Sequence, residues 1–240
     1  MMNVIKKPHL PDYDVSLFVC DNVLNSGSNF LPSFTLSDVL FGINSHPDMS
    51  VCPLFDGDVI VAKEGYCYYK KILPESLNII KGENDLKKEY PFDIALNAVI
   101  IDGKLFHNLK YTDKALLKYC QNKNIEFVNV KQGYTKCSTL IVDEKSVITS
   151  DKKLNEIYLK NGLDSLFVSN DDILINNFEH GFIGGCGGKI SKDTIGFFGD
   201  ITKHKDYMKI KEFLTKRNIK HKMILNGPLF DYGSLIPLCT

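Results

Sequence analysis

The chain has 240 residues, enough for one large domain with an extensive core. Its 29 basic and 29 acidic residues give a formal net charge of zero, which argues against a nucleic-acid or anionic-membrane partner, because such partners select a basic face. Arg217 is the only arginine, and lysines are poorer bidentate readers of phosphate. We therefore expect a single domain over residues 1–240, with no nucleic-acid and no membrane partner.

The targeting and cysteine patterns indicate an ordinary cytoplasmic protein. Residues 1–8 contain no apolar core of signal-peptide length, and no apolar run approaches a membrane span. The seven cysteines include no CxxC pair, so neither a disulfide framework nor a zinc ribbon is indicated. We expect free thiols, no metal and no cofactor.

One kind of segment recurs along the chain, with Gly, Pro or His beside a polar residue and a β-rich run after it. The copies begin at residues 46, 90, 132, 180 and 231, at intervals of 42 to 51 residues. Repetition at such a period indicates supersecondary units that bury their apolar faces against one another.

The first part of the chain contains one predicted strand and one predicted helix. Residues 13–23 alternate between apolar and polar and then form a continuous apolar run, which predicts a strand. A loop rich in Ser, Gly and Asn follows. A short helix is predicted over residues 35–41. The tripeptide His46-Pro47-Asp48 is expected to be a fixed turn rather than a helix, because Pro47 removes a donor and restricts His46 to extended geometry.

The next two units share an order of strands, one helix and a final strand. These elements are predicted at residues 59–62, 67–73 and 77–80, and then at 98–101, 104–106, 112–123 and 125–128. Asp102-Gly103 lies between two apolar runs and favours a tight primed hairpin turn.

The third and fourth units repeat this order. Their strands are predicted at residues 139–142, 146–149, 166–168, 195–198 and 222–225. One helix is expected to start at Ser150 or Asp151 and stop at Asn161-Gly162, and another covers residues 204–217. The short fifth unit, residues 233–238, is expected to pair with the N-terminal strand and close a ring.

Four of the recurring segments carry more specific sequences. They are His46-Pro47-Asp48-Met49, QGYTKCS at 132–138, GFIGG at 181–185 and Asp231-Tyr232-Gly233-Ser234. With the ββαβ order, they resemble an uncharacterised bacterial family of the pentein fold, the five-bladed α/β propeller of the guanidino-group-modifying enzymes. The resemblance covers nearly the whole chain from about residue 45. It implies five pseudosymmetric ββαβ units around a central axis.

The resemblance also implies a chemistry. In the enzymes of this fold a cysteine attacks the guanidinium carbon, a histidine shuttles the proton, and carboxylates grip the guanidinium N–H groups. In the deiminases the nucleophilic cysteine follows a glycine-rich motif near the C-terminus. When residues 233–236 are aligned with that motif, Pro237 takes the position of the nucleophile and Cys239 lies two residues further on. Tyr134 takes the position of the histidine. Cys137 and Cys239 are therefore both candidate nucleophiles, with His46 as candidate acid and base.

Polar residues of the recurring segments are candidate ligand groups. They are Asp48, Asp93, Tyr134, Lys136, Asp231 and Ser234. The alternative for the aspartates is Asx-turn capping, and the alternative for the His-Pro-Asp turn is satisfaction of backbone groups. Lys136 adjoins Cys137, but neighbours on a strand point to opposite faces, which argues against an effect of the lysine on the thiol pKa.

Other motifs have a structural interpretation. Four cysteines follow a unit's turn, and they either bind a soft metal as a group or, as we favour, fill a narrow ring centre: Cys52, Cys137, Cys186 and Cys239. The glycines of residues 181–188 fit close backbone approach better than a phosphate loop. His180 beside Glu179 is a further candidate pair. The remaining histidines are expected at the surface or at caps: His9, His107, His204 and His221.

Two functional hypotheses remain open at this point. The first is a protein that binds or hydrolyses a small guanidino or amidino metabolite in an axial pocket through a cysteine nucleophile. The second is a non-catalytic pentein that serves as a scaffold for a macromolecule.

Overall fold

The computed structural model describes residues 2–24, 27 and 29–240. The predicted Ser-, Gly- and Asn-rich loop lies partly outside them. These described residues form fifteen strands in five three-stranded sheets, each made of an antiparallel pair and a third strand that runs parallel to the middle one. This arrangement confirms the predicted five-bladed α/β propeller.

The elements follow one another in a regular order. Strands β1 (Leu17–Cys20) and β2 (Phe30–Pro32) come first, and a one-turn helix α1 (Pro47–Ser50) leads into the first complete unit. Each complete unit has two strands, a helix and a third strand. The first two units are β3 (Val51–Pro53), β4 (Asp58–Val61), α2 (Tyr66–Ile72) and β5 (Asn78–Lys81), and then β6 (Val99–Ile101), β7 (Lys104–His107), α3 (Lys114–Asn122) and β8 (Glu126–Asn129). The other two are β9 (Thr139–Asp143), β10 (Ser146–Thr149), α4 (Lys152–Lys160) and β11 (Asp164–Phe167), and then β12 (Gly187–Ser191), β13 (Thr194–Phe198), α5 (Tyr207–Thr215) and β14 (Lys220–Leu225). Strand β15 (Ile236–Cys239) is the last.

The fifth sheet joins the two ends of this order. Strand β15 pairs antiparallel with β1, with Leu17 opposite Cys239 and Val19 opposite Ile236, and β2 lies parallel to β1 on the other side. The predicted pairing of the fifth unit with the N-terminal strand is therefore confirmed. Hydrophobic clusters fill the spaces between neighbouring sheets and helices, so the core forms a ring around the axis.

Local turn and cap chemistry explains why several predicted elements are correct. Asp102 and Gly103 have φ values of 49° and 70°, the left-handed pair that a type I′ turn requires between β6 and β7. Asp113 caps α3 by accepting a hydrogen bond from Ala115 N, and Asp151 caps α4 by accepting one from Leu154 N.

Two predictions for the region before β3 are wrong. Residues 35–41 form turns rather than a helix, because a seven-residue helix is marginal alone and the segment instead buries Leu36 and Val39 in the core. The His-Pro-Asp segment is not a simple turn, since Pro47 begins the helical turn α1. Proline is tolerated at the first position of a helix, because a backbone N–H there would make no hydrogen bond within the helix. His46, the residue before it, is extended as predicted.

The helix boundary and surface predictions also need correction. Helix α5 begins at Tyr207 instead of residue 204, because the ring of His204 accepts a hydrogen bond from Asp206 N and bonds Ser169 O. His9 and His107 are buried rather than at the surface, whereas His204 is buried but does occupy a cap, at the end of the 3-10 turn Ile201–Lys203. Within the described part of the chain, no helix has the length and apolar character needed to cross a bilayer.

Candidate functional site

The candidate site is assembled from the segments that lead into the first strand of each unit. Cys137, Asn97 and Ser234 each lie two residues before such a strand, in three different units, and Asp48 and Lys136 each lie three residues before one. The propeller brings these equivalent positions together near the axis, where their side chains contact one another.

Cys137 is held by partners from two other units. Its Sγ donates to Oδ2 of Asp48 at 3.1 Å and accepts from Nδ2 of Asn97 at 3.1 Å. The amide oxygen of Asn97 in turn accepts from the backbone N–H groups of Lys136 and Cys137, at 2.8 and 3.1 Å. Asn97 therefore fixes both the backbone and the thiol of this segment.

A second chain of hydrogen bonds joins Asp48 to a buried lysine. Ser234 Oγ lies 2.6 Å from Oδ2 of Asp48 and 2.8 Å from the carbonyl oxygen of Gly184, and it accepts from Nζ of Lys136 at 3.0 Å. Because a hydroxyl has a single proton, Ser234 can donate to Asp48 or to Gly184 but not to both. Ser234 also has a φ of 75°, an uncommon conformation for a residue with a side chain.

Lys136 and Cys137 converge on this network, contrary to the expected opposite orientations. Residues 135–138 form a turn and not a strand, so alternation does not apply to them. The Lys136 ammonium group reaches Ser234, whereas the Cys137 thiol reaches Asp48.

His46 and Asp231 form the other half of the site. His46 is 2% exposed, its Nδ1 has no hydrogen-bond partner among the described residues, and it lies 3.8 Å from Oδ1 of Asp231. Asp231 accepts from the backbone N–H groups of Gly233 and Phe182, at 2.9 and 2.8 Å, so it does form an Asx turn. The His46 ring makes no capping bond to α1.

These residues meet a cavity of about 290 Å³. His46, Cys137 and Asp231 line it, whereas Asp48, in contact with Cys137, belongs to the layer beneath. Residues of the segment between β11 and β12, with three from around α1 and before β9, complete the wall: Ile43, Met49, Tyr134, Asn170, Ile175, Phe178, Glu179, His180 and Phe182. The cavity is thus largely apolar, with a few polar groups at its base and the Glu179–His180 pair, separated by 3.5 Å, in its wall.

Burial sets the protonation of the site. It raises the pKa of Asp48 to about 6, against the opposing effect of Lys136, and it raises the pKa of Asp231 to about 7, with the charge of Asp48 adding to the rise. Burial lowers the pKa of His46 to about 3, and together with the two carboxylates it raises the pKa of Cys137 well above its usual range. Near neutral pH the site therefore holds a neutral imidazole and a protonated thiol beside Asp48, which is mostly charged, and Asp231, which is divided between its charged and protonated forms.

Tyr134 and Asp93 make a separate pair. The Tyr134 hydroxyl donates to Oδ2 of Asp93 at 2.7 Å, while Oδ1 of this buried carboxylate has no partner among the described residues. Tyr134 lines the cavity, so the pair connects its wall to a buried acid.

Cys239 is placed elsewhere. It lies in β15 within the hydrophobic cluster that contains Leu17 and Tyr69, and Cys52 and Cys186 each belong to a different cluster. These three thiols are packing residues, as favoured from the sequence, and only Cys137 of the four meets the cavity.

The glycines of the fourth unit make the close approach that was predicted. A Cβ on Gly185 would lie 1.8 Å from Oδ1 of Asp231, and one on Gly184 would lie 2.4 Å from the carbonyl oxygens of Lys136 and Thr139. Glycine at these positions lets Asp231 and the Cys137 segment reach the axis.

Asn97 is a site residue that sequence reasoning missed. Asn97 follows an apolar run and belongs to no motif. The one feature of the sequence that could have indicated its role is its position two residues before the first strand of a predicted hairpin. The cavity wall from residue 170 to 182 was likewise assigned no role apart from the His180–Glu179 pair and the glycines.

The nitrogen, oxygen and sulfur atoms of His46, Asp48 and Cys137 lie within 4.8 Å of one another, and all three residues are buried. This set combines the ligand types that bind divalent transition metals in proteins.

Solved structures share this fold at very low identity. Agmatine deiminase from C. jejuni is 9% identical, with a TM-score of 0.54 over 93% of this chain and 91% of that one. A substrate-bound variant of the same enzyme is 11% identical, with a TM-score of 0.51 over 94% and 91%. DDAH from Pseudomonas aeruginosa, complexed with citrulline, is 7% identical, with a TM-score of 0.47 over 75% and 70%. The agmatine deiminase likeness is one of fold.

Among curated proteins, none matches this sequence. A family model described as "Family of unknown function (DUF6873)" matches residues 11–236, which is nearly the whole chain. The chain therefore belongs to this family, and its five-bladed propeller is a pentein fold.

Proposed function

We propose that this protein is a cysteine-dependent hydrolase of a small guanidino or amidino compound, with Cys137 as nucleophile. The observation that carries the proposal is the position of the thiol: Cys137 Sγ meets the cavity and lies 3.1 Å from a buried carboxylate oxygen that accepts its proton. A thiol poised between a cavity and a base fits nucleophilic catalysis better than packing.

The charges around the cavity support a cationic substrate. Asp48 and Asp231 have raised pKa values because burial disfavours their charged forms, and a guanidinium or amidinium ion beside them restores those charges. The same cation stabilises the Cys137 thiolate, so the nucleophile forms where the substrate is bound. The name of the structural relative, agmatine deiminase, supports the same substrate class, since agmatine carries a guanidinium group.

The reaction follows from the groups present. The Cys137 proton passes to Asp48, the thiolate forms a bond to the central carbon, and a C–N bond breaks as the leaving amine takes a proton from the site. Asp48, which has received the Cys137 proton, supplies it. Water then attacks the carbon and gives a proton to Asp48, the C–S bond breaks, and the sulfur takes this proton. The thiol is thereby restored, the substrate nitrogen is replaced by oxygen, and the amine leaves as its ammonium ion. Asp231 holds the N–H groups of the substrate throughout.

The test compares two alkylating reagents of nearly equal shape, 2-chloroacetamidine, which is cationic, and 2-chloroacetamide, which is neutral. The Cys67→Ser protein is used, because Cys67 is the exposed cysteine of this chain and the other six are buried. Free cysteine corrects for intrinsic reactivity, and EDTA removes metal ions. We expect the amidine to label Cys137 at least tenfold faster than the amide, and the preference to fall in Asp231→Asn.

Equal corrected rates for the two reagents, or labelling that is spread over several cysteines, would contradict the proposal. That result would favour the second hypothesis, in which the propeller is a scaffold for a macromolecule.

A further inference from the structure

We propose that His46, Asp48 and Cys137 form a binding site for a divalent transition metal ion of the Zn²⁺ type. The inference goes beyond the proposed hydrolysis, since it assigns a second class of ligand to the same centre. No short sequence motif marks this metal site, because two of its ligands come from the segment before β3 and the third from the segment before β9.

The donor atoms have the composition and spacing that such an ion needs. One imidazole nitrogen, one carboxylate oxygen and one sulfur lie within 4.8 Å of one another. Bonds of roughly 2.0–2.3 Å around a tetrahedral Zn²⁺ ion place its ligand atoms about 3.3–3.8 Å apart. Sγ of Cys137 and Oδ2 of Asp48 are already 3.1 Å apart, so the set needs only a closer approach of the His46 nitrogen, which lies within 4.8 Å of both ligand atoms.

Two unpartnered atoms give an independent reason to place a ligand here. Nδ1 of His46 and Oδ1 of Asp48 are buried without a hydrogen-bond partner among the described residues, and the residues are 2% and 1% exposed. Buried polar atoms are nearly always satisfied, so this pair needs an explanation. A metal ion bonded to Nδ1 of His46 and to the Asp48 carboxylate supplies the interaction that Nδ1 lacks and lies beside the unpartnered oxygen.

The surrounding charges accommodate the ion. When the metal binds, the Cys137 S–H bond breaks, a sulfur–metal bond forms, and the proton leaves to solvent, with no change of oxidation state. Thiolate and Asp48 carboxylate together balance the two positive charges of the ion. Lys136 is held by Ser234 Oγ at 3.0 Å and the Thr139 carbonyl at 3.3 Å, so its ammonium group is bonded elsewhere.

The cavity gives the ion an entry path and an open coordination position. His46 and Cys137 both line it, so a metal bonded to them faces a space of about 290 Å³. Three protein ligands with one open position are the arrangement of reactive zinc sites, whereas closed structural sites have four. Metal and a guanidinium ligand would occupy the same base of the cavity and exclude each other.

Co²⁺ is the direct probe, because thiolate-bound Co²⁺ has a charge-transfer band in the near ultraviolet. In the Cys67→Ser protein we expect one equivalent of Co²⁺ to produce this band and Zn²⁺ to displace it. His46→Gln should weaken binding at least tenfold, and Cys137→Ser should remove the band. Cys186→Ala is the matched control, a buried cysteine in a separate cluster, and should retain full binding.

A second measurement does not depend on the folding of any variant at the site. Zn²⁺ should slow the alkylation of Cys137 by neutral 2-chloroacetamide at least tenfold in the Cys67→Ser protein, and EDTA should restore the rate. Absence of a thiolate band, or of protection, overturns the metal site. The amidine preference is measured in EDTA, so it fails or succeeds separately from this result.

Discussion

The Cys137 thiol donates to Oδ2 of Asp48 across 3.1 Å, although the two residues are 89 positions apart in the chain. They belong to different units, and Ser234 from the last unit bonds the same oxygen. The chemistry of Cys137 is therefore a property of the ring and of no single segment.

The charge balance between Asp48 and Lys136 gives a first prediction. Asp48→Asn removes the carboxylate that offsets the buried ammonium of Lys136, so the free energy of unfolding near pH 7 should fall by about 3 kcal/mol. The double variant Asp48→Asn/Lys136→Met removes both charges and should recover more than half of this loss in urea denaturation. Additive losses in the double variant would mean that the two charges do not interact.

The backbone of Ser234 gives a second prediction. Both Ser234→Gly and Ser234→Ala lose the hydroxyl that bonds Asp48, but only alanine must retain a side chain at a φ of 75°. The glycine variant should therefore be more stable than the alanine variant by about 1 kcal/mol, measured by chemical denaturation. Equal stability of the two would show that the positive φ costs nothing.

The bond between Tyr134 and Asp93 gives a third prediction. Tyr134→Phe leaves the buried Asp93 carboxylate without its donor and should lower the free energy of unfolding by about 1–3 kcal/mol. Tyr90→Phe is the matched control, because Tyr90 packs against the Tyr134 ring at 5.5 Å but is 51% exposed. Its effect should stay within about 0.5 kcal/mol. A comparable loss in both variants would contradict the assignment.

How much of this architecture could be predicted from the sequence depends on the range of the interactions. The hairpin at Asp102-Gly103 and the cap at Asp151 are local effects, and both were predicted correctly. The helix over residues 35–41 was not, because burial of Leu36 overrode a weak local preference. In the site, Asn97 escaped notice because its role comes from contacts with a different unit.

Burial of His107 gives a fourth prediction, on pH. Its ring bonds Thr112 Oγ1 and the Gly133 carbonyl, and burial lowers its pKa to about 4. Because the unfolded chain binds a proton near pH 6.5, the free energy of unfolding should fall as the pH drops from about 6.5 to 4, by about 3 kcal/mol from this residue. His107→Gln should give a shallower acid dependence over that interval, measured by urea denaturation at several pH values. If the free energy of unfolding of His107→Gln depended on pH as steeply as that of the unsubstituted protein, His107 would be excluded as the source of the acid dependence.

The pairing of β15 with β1 makes the candidate site the product of a completed fold. Asp231 and Ser234 lie just before β15, and their contacts with His46 and Asp48 join this segment to the one before β3. A nascent or partly unfolded chain can hold Cys137 in its turn without giving it these neighbours. Reactivity of this thiol should thus report ring closure itself.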